Sequence, residues 1–307
     1  MFPVPEPVQR DFLDPGVLGR LIGLPLNSRH PMVGSVSGRH RSPIRGSALE
    51  FAQYRKYVPG DDTRRLDWRT WGRTDRYYIK EFEADTNLRL CFILDTSGSM
   101  SFETESGSRI DYARSMVGTL AYIAAQQGDA VGLYSSTAST AVEIPPKRGP
   151  LHLGVVFDSL SQVEAGGESP LVTTIHEAAE KIPQRALIVI LSDLLIDLAP
   201  LQEALQHLRF RKHDVALFHI LDRQEVDFEF DRPTRFLDLE GGPSLLADPS
   251  LIQQRYREAV SSYFAQIDDL MNHSAVDYHR VFLEESYEQV LARFLIGRNP
   301  KTAKSAP

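Results

Sequence analysis

Asp95, Ser97 and Ser99 follow directly on an apolar run, Leu88 to Leu94, in the spacing D-x-S-x-S. One carboxylate and two hydroxyls are hard oxygen donors. They suit Mg²⁺ or Mn²⁺, which take octahedral oxygen and keep several waters. Gly98 permits the tight turn that lets alternate side chains converge on one point. Taken alone the pattern is short, and the same residues also suit a capped strand-to-helix turn. A second apolar run, Ala186 to Leu191, leads into Ser192 and Asp193. Ligands of doubly wound sheets bind beyond the carboxyl ends of the strands, where the strand order reverses. Neighbouring strands there would bring Asp95 and Asp193 to one crevice. Without a cation, the two carboxylates would repel each other.

The pattern resembles the metal-ion-dependent adhesion site of von Willebrand factor A domains. That resemblance implies a third hydroxyl ligand, usually a Thr just after a pair of glycines. The glycines here are Gly166 and Gly167, followed by Glu168, Ser169 and Pro170, so the match is imperfect. Ser169 is assigned as the third hydroxyl, with Glu168, Thr173 and Thr174 as alternatives. A cation held mainly by neutral hydroxyls, with both aspartates acting through waters, keeps much of its charge. Such a cation seeks an anionic ligand, which the Asp or Glu of a protein partner can supply.

The elements that must position these residues are legible from periodicity. Leu88–Leu94 is largely apolar and Ala186–Leu191 is apolar throughout, as strands buried on both faces are. Ile110, Ala113, Val117, Leu120, Ala121 and Ala124 recur at helical spacing, and Gly128 ends that helix. Further strands are expected at 130–135, 141–144, 214–221 and 278–283, with Pro145 and Pro146 stopping the second. Helices are expected at 16–24, 151–160, 171–182, 198–210, 249–271 and 287–296. Residues 222–250 read as an acidic, aromatic-containing insertion. Alternating strands and helices give an α/β fold, a doubly wound, mostly parallel sheet. The division expected is an N-terminal extension over 1–85, a von Willebrand factor A-like domain over 86–297, and a disordered tail over 298–307.

The chain has 307 residues and a net charge of -7, which gives no global drive toward nucleic acid or anionic membrane. Its single cysteine, Cys91, lies in the first buried run, so an internal disulfide is impossible and a reducing compartment is expected. No run approaches the roughly 18 apolar residues of a membrane span. The first residues lack the basic start and apolar core of a signal peptide. A cytoplasmic location is the expectation. Phosphate-loop, H-E-x-x-H, paired C-x-x-C and G-x-S-x-G motifs are absent from the sequence. Asp95-Thr96-Ser97 also lacks the second Asp of aspartate-nucleophile phosphatases. His213 and His219 fall on one face of a strand and read as packing residues.

Arg39 to Lys80 is rich in arginine and in interleaved aromatics, with acids interspersed. Arginines and aromatics together suit single-stranded nucleic acid. The interspersed acids favour a folded segment with internal pairs, among them those of Arg55, Arg64 and Asp67. Within this stretch lie Gly46, Glu50, Phe51, Arg55, Tyr57, Gly60, Asp61, Asp62, Arg64, Asp67 and Trp68. This series, followed by the strand and the D-x-S-x-S loop, resembles the domain-of-unknown-function 58 family from about Gly38 to Arg298. The resemblance implies the von Willebrand A-like metal motif and a partnership with a MoxR-type AAA+ ATPase. The expected role is an adaptor or chaperone component that docks through the metal and is not an enzyme. A metal-dependent phosphohydrolase is the alternative, and nucleic-acid binding through 39–80 the third reading.

Overall fold

The computed structural model describes residues 10–28, 37–42, 50–58, 66–74, 76–86, 88–136, 141–168, 170–230, 232–237, 239 and 244–299. The chain divides into two units, Met1–Asn27 with Arg89–Pro307, and Ser28–Leu88. In the first unit, helix α1 (Pro15–Leu21) starts at Asp14, whose side chain accepts from the Gly16 and Val17 amides. Residues 10–27, which the sequence reading grouped with an extension to residue 85, belong to the same unit as the large sheet. Phe12 meets Phe157 edge-on at 5.8 Å, and Arg20 forms an ion pair with Glu288.

The second unit is an antiparallel sheet of strands β1 (Ser37–Ser42), β2 (Glu50–Lys56) and β3 (Tyr78–Thr86), with β3 central. Helix α2 (Trp68–Thr74) precedes β3. Asp67 caps α2: its carboxylate accepts from the Arg69 and Thr70 amides and from the Thr70 hydroxyl.

The large sheet begins with β4 (Arg89–Leu94), followed by a one-turn 3₁₀ helix (Gly98–Ser101) and a small hairpin, β5 (Glu103–Thr104) and β6 (Gly107–Ser108). Then come α3 (Arg109–Gln126), β7 (Ala130–Ser136), β8 (Ala141–Lys147), α4 (Pro150–Gln162) and α5 (Leu171–Lys181). The chain continues through β9 (Leu187–Ser192), α6 (Leu198–Phe210), β10 (Asp214–Leu221) and α7 (Arg223–Asp227). It ends with β11 (Thr234–Phe236), β12 (Leu245–Ala247), α8 (Pro249–Ser274), β13 (Asp277–Phe282) and α9 (Tyr287–Gly297).

Six strands lie in the order β13-β10-β9-β4-β7-β8, parallel except for β8. This is a mostly parallel α/β sheet of Rossmann type. One face carries Cys91, Ile93, Ile188, Ile190 and Leu217 into a core with α5, α6 and α8. On the other, Phe218 of β10 meets Phe294 of α9 at 5.1 Å, and α3 lies against α1, α4 and α9. Burial on both faces explains why β4 and β9 read as largely apolar runs. From β4 the chain steps to β7 and β8 on one side, then returns to β9 on the other. The order therefore reverses between β4 and β9, the strands that end at Asp95 and Asp193.

Two local readings are corrected. Pro145 and Pro146 do not stop β8, which runs on to Lys147. The strand is at the sheet edge and its pairing shifts register opposite Gly132, where missing donors are tolerated. Arg298, assigned to a disordered tail, is buried and pairs with Asp214 at 3.0 Å and Asp277 at 2.9 Å.

Gly132 lets the proline-bearing strand approach. A Cβ there would lie 2.7 Å from the Ile144 carbonyl oxygen and 2.8 Å from the Pro146 nitrogen. Both obstacles are backbone, so Gly132→Ala should destabilise the fold by about 1–3 kcal/mol. Urea denaturation of variant and parent measures this. Identical midpoints would mean that β8 shifts without cost.

Candidate metal centre

Strand β4 delivers Asp95 and β9 delivers Asp193 to the same edge of the sheet. The Asp95 amide donates to the Leu191 carbonyl at 2.9 Å, so the first loop starts tied to the neighbouring strand. One Asp95 carboxylate oxygen accepts from the Ser97 amide at 3.0 Å, and the other from the Ser192 hydroxyl at 2.5 Å. These bonds fix the carboxylate in a buried position. Beyond it, the Ser97 and Ser99 hydroxyl oxygens lie 2.9 Å apart. The Gly166–Gly167 loop is pinned alongside. The Gly98 amide donates to the Gly167 carbonyl at 2.8 Å, and the Gly166 amide to the Thr96 carbonyl at 2.9 Å. Gly167 has φ +71°, a conformation in which a side chain would be strained.

Four of the five residues assigned to the metal are thus brought together: Asp95, Ser97, Ser99 and Asp193. The fifth, Ser169, lies outside the described residues. Of its alternatives, Glu168 and Thr173 are exposed, and the buried Thr174 donates its hydroxyl to the Pro170 carbonyl at 3.0 Å. Among the described residues no three His, Cys, Asp or Glu side chains are grouped to hold a metal. A site here would rest on two carboxylates and neutral hydroxyls, a set for Mg²⁺ or Mn²⁺ and a poor one for zinc. The spacing of the hydroxyls fits this. Oxygens at 2.0–2.1 Å from Mg²⁺ on adjacent octahedral corners are about 2.9 Å apart, the distance between Ser97 Oγ and Ser99 Oγ.

Asp193 is nearly inaccessible. One of its oxygens accepts from the Leu195 amide at 3.3 Å and the other from the Arg109 guanidinium at 2.7 Å. Burial, and then the Asp95 charge, push its pKa up, while Arg109 and hydrogen bonding to Ser99 oppose that rise. Arg109 is itself 1 % exposed. Its guanidinium also donates to the Ser99 carbonyl at 3.2 Å, pairs with Glu225 of α7 and lies over the Phe102 ring. It joins both loops to the insertion that follows β10.

The segment after β9 is held by further bonds. Leu194 has φ +53°, uncommon for a residue with a side chain. Its amide donates to Ser192 Oγ at 2.9 Å, and the Tyr263 hydroxyl of α8 reaches the Leu194 and Ile196 carbonyls at 2.5 and 2.7 Å. His219 Nε2 lies 2.9 Å from the Asp193 carbonyl, and its Nδ1 lies 2.6 Å from the Tyr278 hydroxyl. Burial lowers the His219 pKa to about 3, so the ring is neutral. A carbonyl only accepts, so Nε2 carries the proton and Nδ1 accepts from Tyr278. His213, also neutral with a pKa lowered to about 4, accepts the Ala186 amide at 3.2 Å.

The spacing of the sequence did not single out Arg109, Ser192 or Glu225 for the site, and it assigned His219 to packing. Arg109 left one signal: a cation on the first residue of a helix opposes the helix dipole, so a specific anionic partner was to be sought. Ser192 was hidden within the strand. Glu225 stands 116 positions from Arg109, and no local spacing links them.

In the basic segment, Trp71 stacks on Tyr77 at 6.0 Å and meets Trp68 edge-on at 6.1 Å. The side chains of Arg55 and Arg64 lie outside the described residues, and with them the pairs expected there.

Two outcomes follow for stability. In EDTA the folded parent should hold the Asp193 proton to higher pH than the unfolded chain does. Its stability should therefore fall as pH rises from about 4, the unfolded value, through the raised pKa. Asp95→Asn removes one cause of that rise and keeps an acceptor for the Ser97 amide, so its melting temperature should fall less over the same range. Parallel curves would show that the two carboxylates do not interact. Arg109→Ala strands Asp193 in the interior and should cost about 3–5 kcal/mol. Arg109→Lys should recover only part, because an ammonium lacks the planar fork that spans two carboxylates. Full recovery in denaturant titrations would mean that charge alone suffices.

A family model described as "Protein of unknown function DUF58" matches residues 53–265, more than two thirds of the chain. Uncharacterised proteins of Mycobacterium tuberculosis and Mycobacterium bovis are 25% identical over 264 residues, covering 84% of this chain and 82% of theirs. Among solved structures, the conserved hypothetical protein BatB from Bacteroides thetaiotaomicron aligns with a TM-score of 0.44 and 16% identity, over 71% of this chain and 100% of that one. An aerotolerance-related membrane protein from Bacteroides fragilis aligns with a TM-score of 0.44 and 15% identity, over 67% of this chain and 95% of the other. Among the described residues no helix is long and apolar enough to cross a membrane. By the match of its central two thirds, the chain belongs to the DUF58 family.

Proposed function

We propose that this protein is a metal-dependent docking module of von Willebrand factor A type. In this reading one Mg²⁺ or Mn²⁺ is held by Asp95, Ser97, Ser99, Asp193 and a hydroxyl of the Gly167 loop, assigned to Ser169. The observation that carries it is the pair of serine hydroxyls 2.9 Å apart beside Asp95, at the point where the strand order reverses. A bound cation would supply a positive charge that a partner's carboxylate can ligate. The chain's own residues keep that charge available. Ser97 and Ser99 contribute no charge, and Arg109 already neutralises Asp193. Ser192 and the Ser97 amide hold Asp95 in place, and His219 and Tyr263 brace the segment around Asp193.

We take the partner to be a MoxR-type AAA+ ATPase and this protein to be an adaptor or chaperone component. The same bonds favour docking over hydrolysis. A metal-dependent hydrolase needs a base poised on an activated water. His219, which touches the Asp193 carbonyl, has both ring nitrogens engaged and stays neutral down to about pH 3.

Calorimetry should show Mg²⁺ binding to the parent and none to Asp95→Asn or to the Ser97→Ala, Ser99→Ala double variant. Pull-down with the ATPase should succeed in Mg²⁺ and fail in EDTA. Metal binding that survives all three substitutions would place the cation elsewhere. Capture that ignores EDTA would remove the docking mechanism.

A further inference from the structure

Beside the candidate metal centre lies a cavity of about 630 Å³ whose lining includes Ser99 and Arg109. The rest of its wall comes mainly from the insertion after β10 and from α8. Phe228 is stacked on Tyr256 at 4.1 Å and on Phe236 at 5.5 Å, and Phe230 meets Phe228 and Phe236 edge-on at 5.1 and 5.4 Å. An aromatic cavity of this size suits an apolar group larger than a methyl. Its rim is apolar too: Leu195 is 55 % exposed, Leu237 65 % and Leu239 43 %.

Charge narrows the occupant. Arg109 is offset by Asp193 and Glu225, and Arg235 is the other cation of the lining. A divalent cation at the adjacent loop would add positive charge beside it. Arg235 donates to the neutral Ser244 hydroxyl, so that bond leaves its charge uncompensated. Arg109 Nε is buried without a hydrogen-bond partner. The cavity thus offers apolar walls and the Arg235 cation, and it is continuous with the metal loop through Ser99. We infer that it is a specificity pocket, receiving an aromatic or branched aliphatic side chain of the acidic partner segment whose carboxylate sits at the metal. This inference rests on the docking reading above. The insertion, in this view, selects among acidic partners that the metal loop alone would accept equally.

The test uses short fluorescent peptides with a single Asp and with Phe, Leu, Ser or Lys placed within two residues of it. Binding to the full chain is measured in Mg²⁺ and in EDTA. Peptides with Phe or Leu should bind about ten- to a hundred-fold more tightly than those with Ser, and only in Mg²⁺. Leu237→Gln and Leu239→Gln, both at exposed positions outside the metal centre that should not affect folding, should abolish that preference and leave Mg²⁺ binding unchanged. Mg²⁺-dependent binding without apolar preference would overturn the pocket and leave the docking reading standing. An apolar preference that survives EDTA and Asp95→Asn would uphold the pocket and remove the docking reading. Failure to bind any of the peptides would overturn the pocket.

Discussion

Two carboxylates are held close together at the edge of a sheet, and much of the surrounding structure answers their repulsion. Asp95 and Asp193 end adjacent parallel strands, so backbone pairing fixes their spacing whatever the side chains prefer. Burial, and then the Asp95 charge, raise the Asp193 pKa. Arg109 offsets part of that cost, and Ser192, Ser97 and the Leu195 amide satisfy the remaining oxygens. An acidic pair kept buried without relief would be a liability. Its presence beside converging hydroxyls is what points to a cation.

Arg109 changes the character of the centre. Two free aspartates would bind a divalent ion tightly and neutralise it. In the docking reading proposed above, one of them is committed to a guanidinium, so the charge of a bound ion would be offset less, and affinity for the metal would be traded for attraction toward an outside anion. The same side chain ties the metal loop to α7 through Glu225, so the insertion is coupled to the centre by a fixed ion pair. Leu194, in its left-handed conformation, and Tyr263, on its two carbonyls, hold the neighbouring segment in one shape. A rigid loop keeps the donors converged without an ordering cost on binding.

The smaller unit has a different chemistry. Its sheet is antiparallel, and Trp68, Trp71 and Tyr77 pack on one another while remaining substantially exposed. Asp67 is spent on capping α2, so one of the interspersed acids has a structural task.

The sequence made the parallel sheet legible, because strands buried on both faces must be largely apolar, and β4 and β9 are, apart from Arg89 and Ser192 at their ends. It also placed Asp95, Ser97, Ser99 and Asp193 at strand ends, since a run of apolar residues that stops in an acid marks where the chain leaves the core. Pro145 and Pro146 misled, because whether a proline ends a strand depends on whether that strand has a neighbour on its far side. Arg298 misled for a related reason: a terminal arginine looks solvent-exposed until Asp214 and Asp277 are seen to close around it. The adjacency of β4 and β9, and the convergence of Arg109, Glu225 and His219 on their ends, emerge with the folded chain. Those contacts join residues up to 116 positions apart. Local spacing carries no information about which distant side chain fills a buried charge's last hydrogen bond.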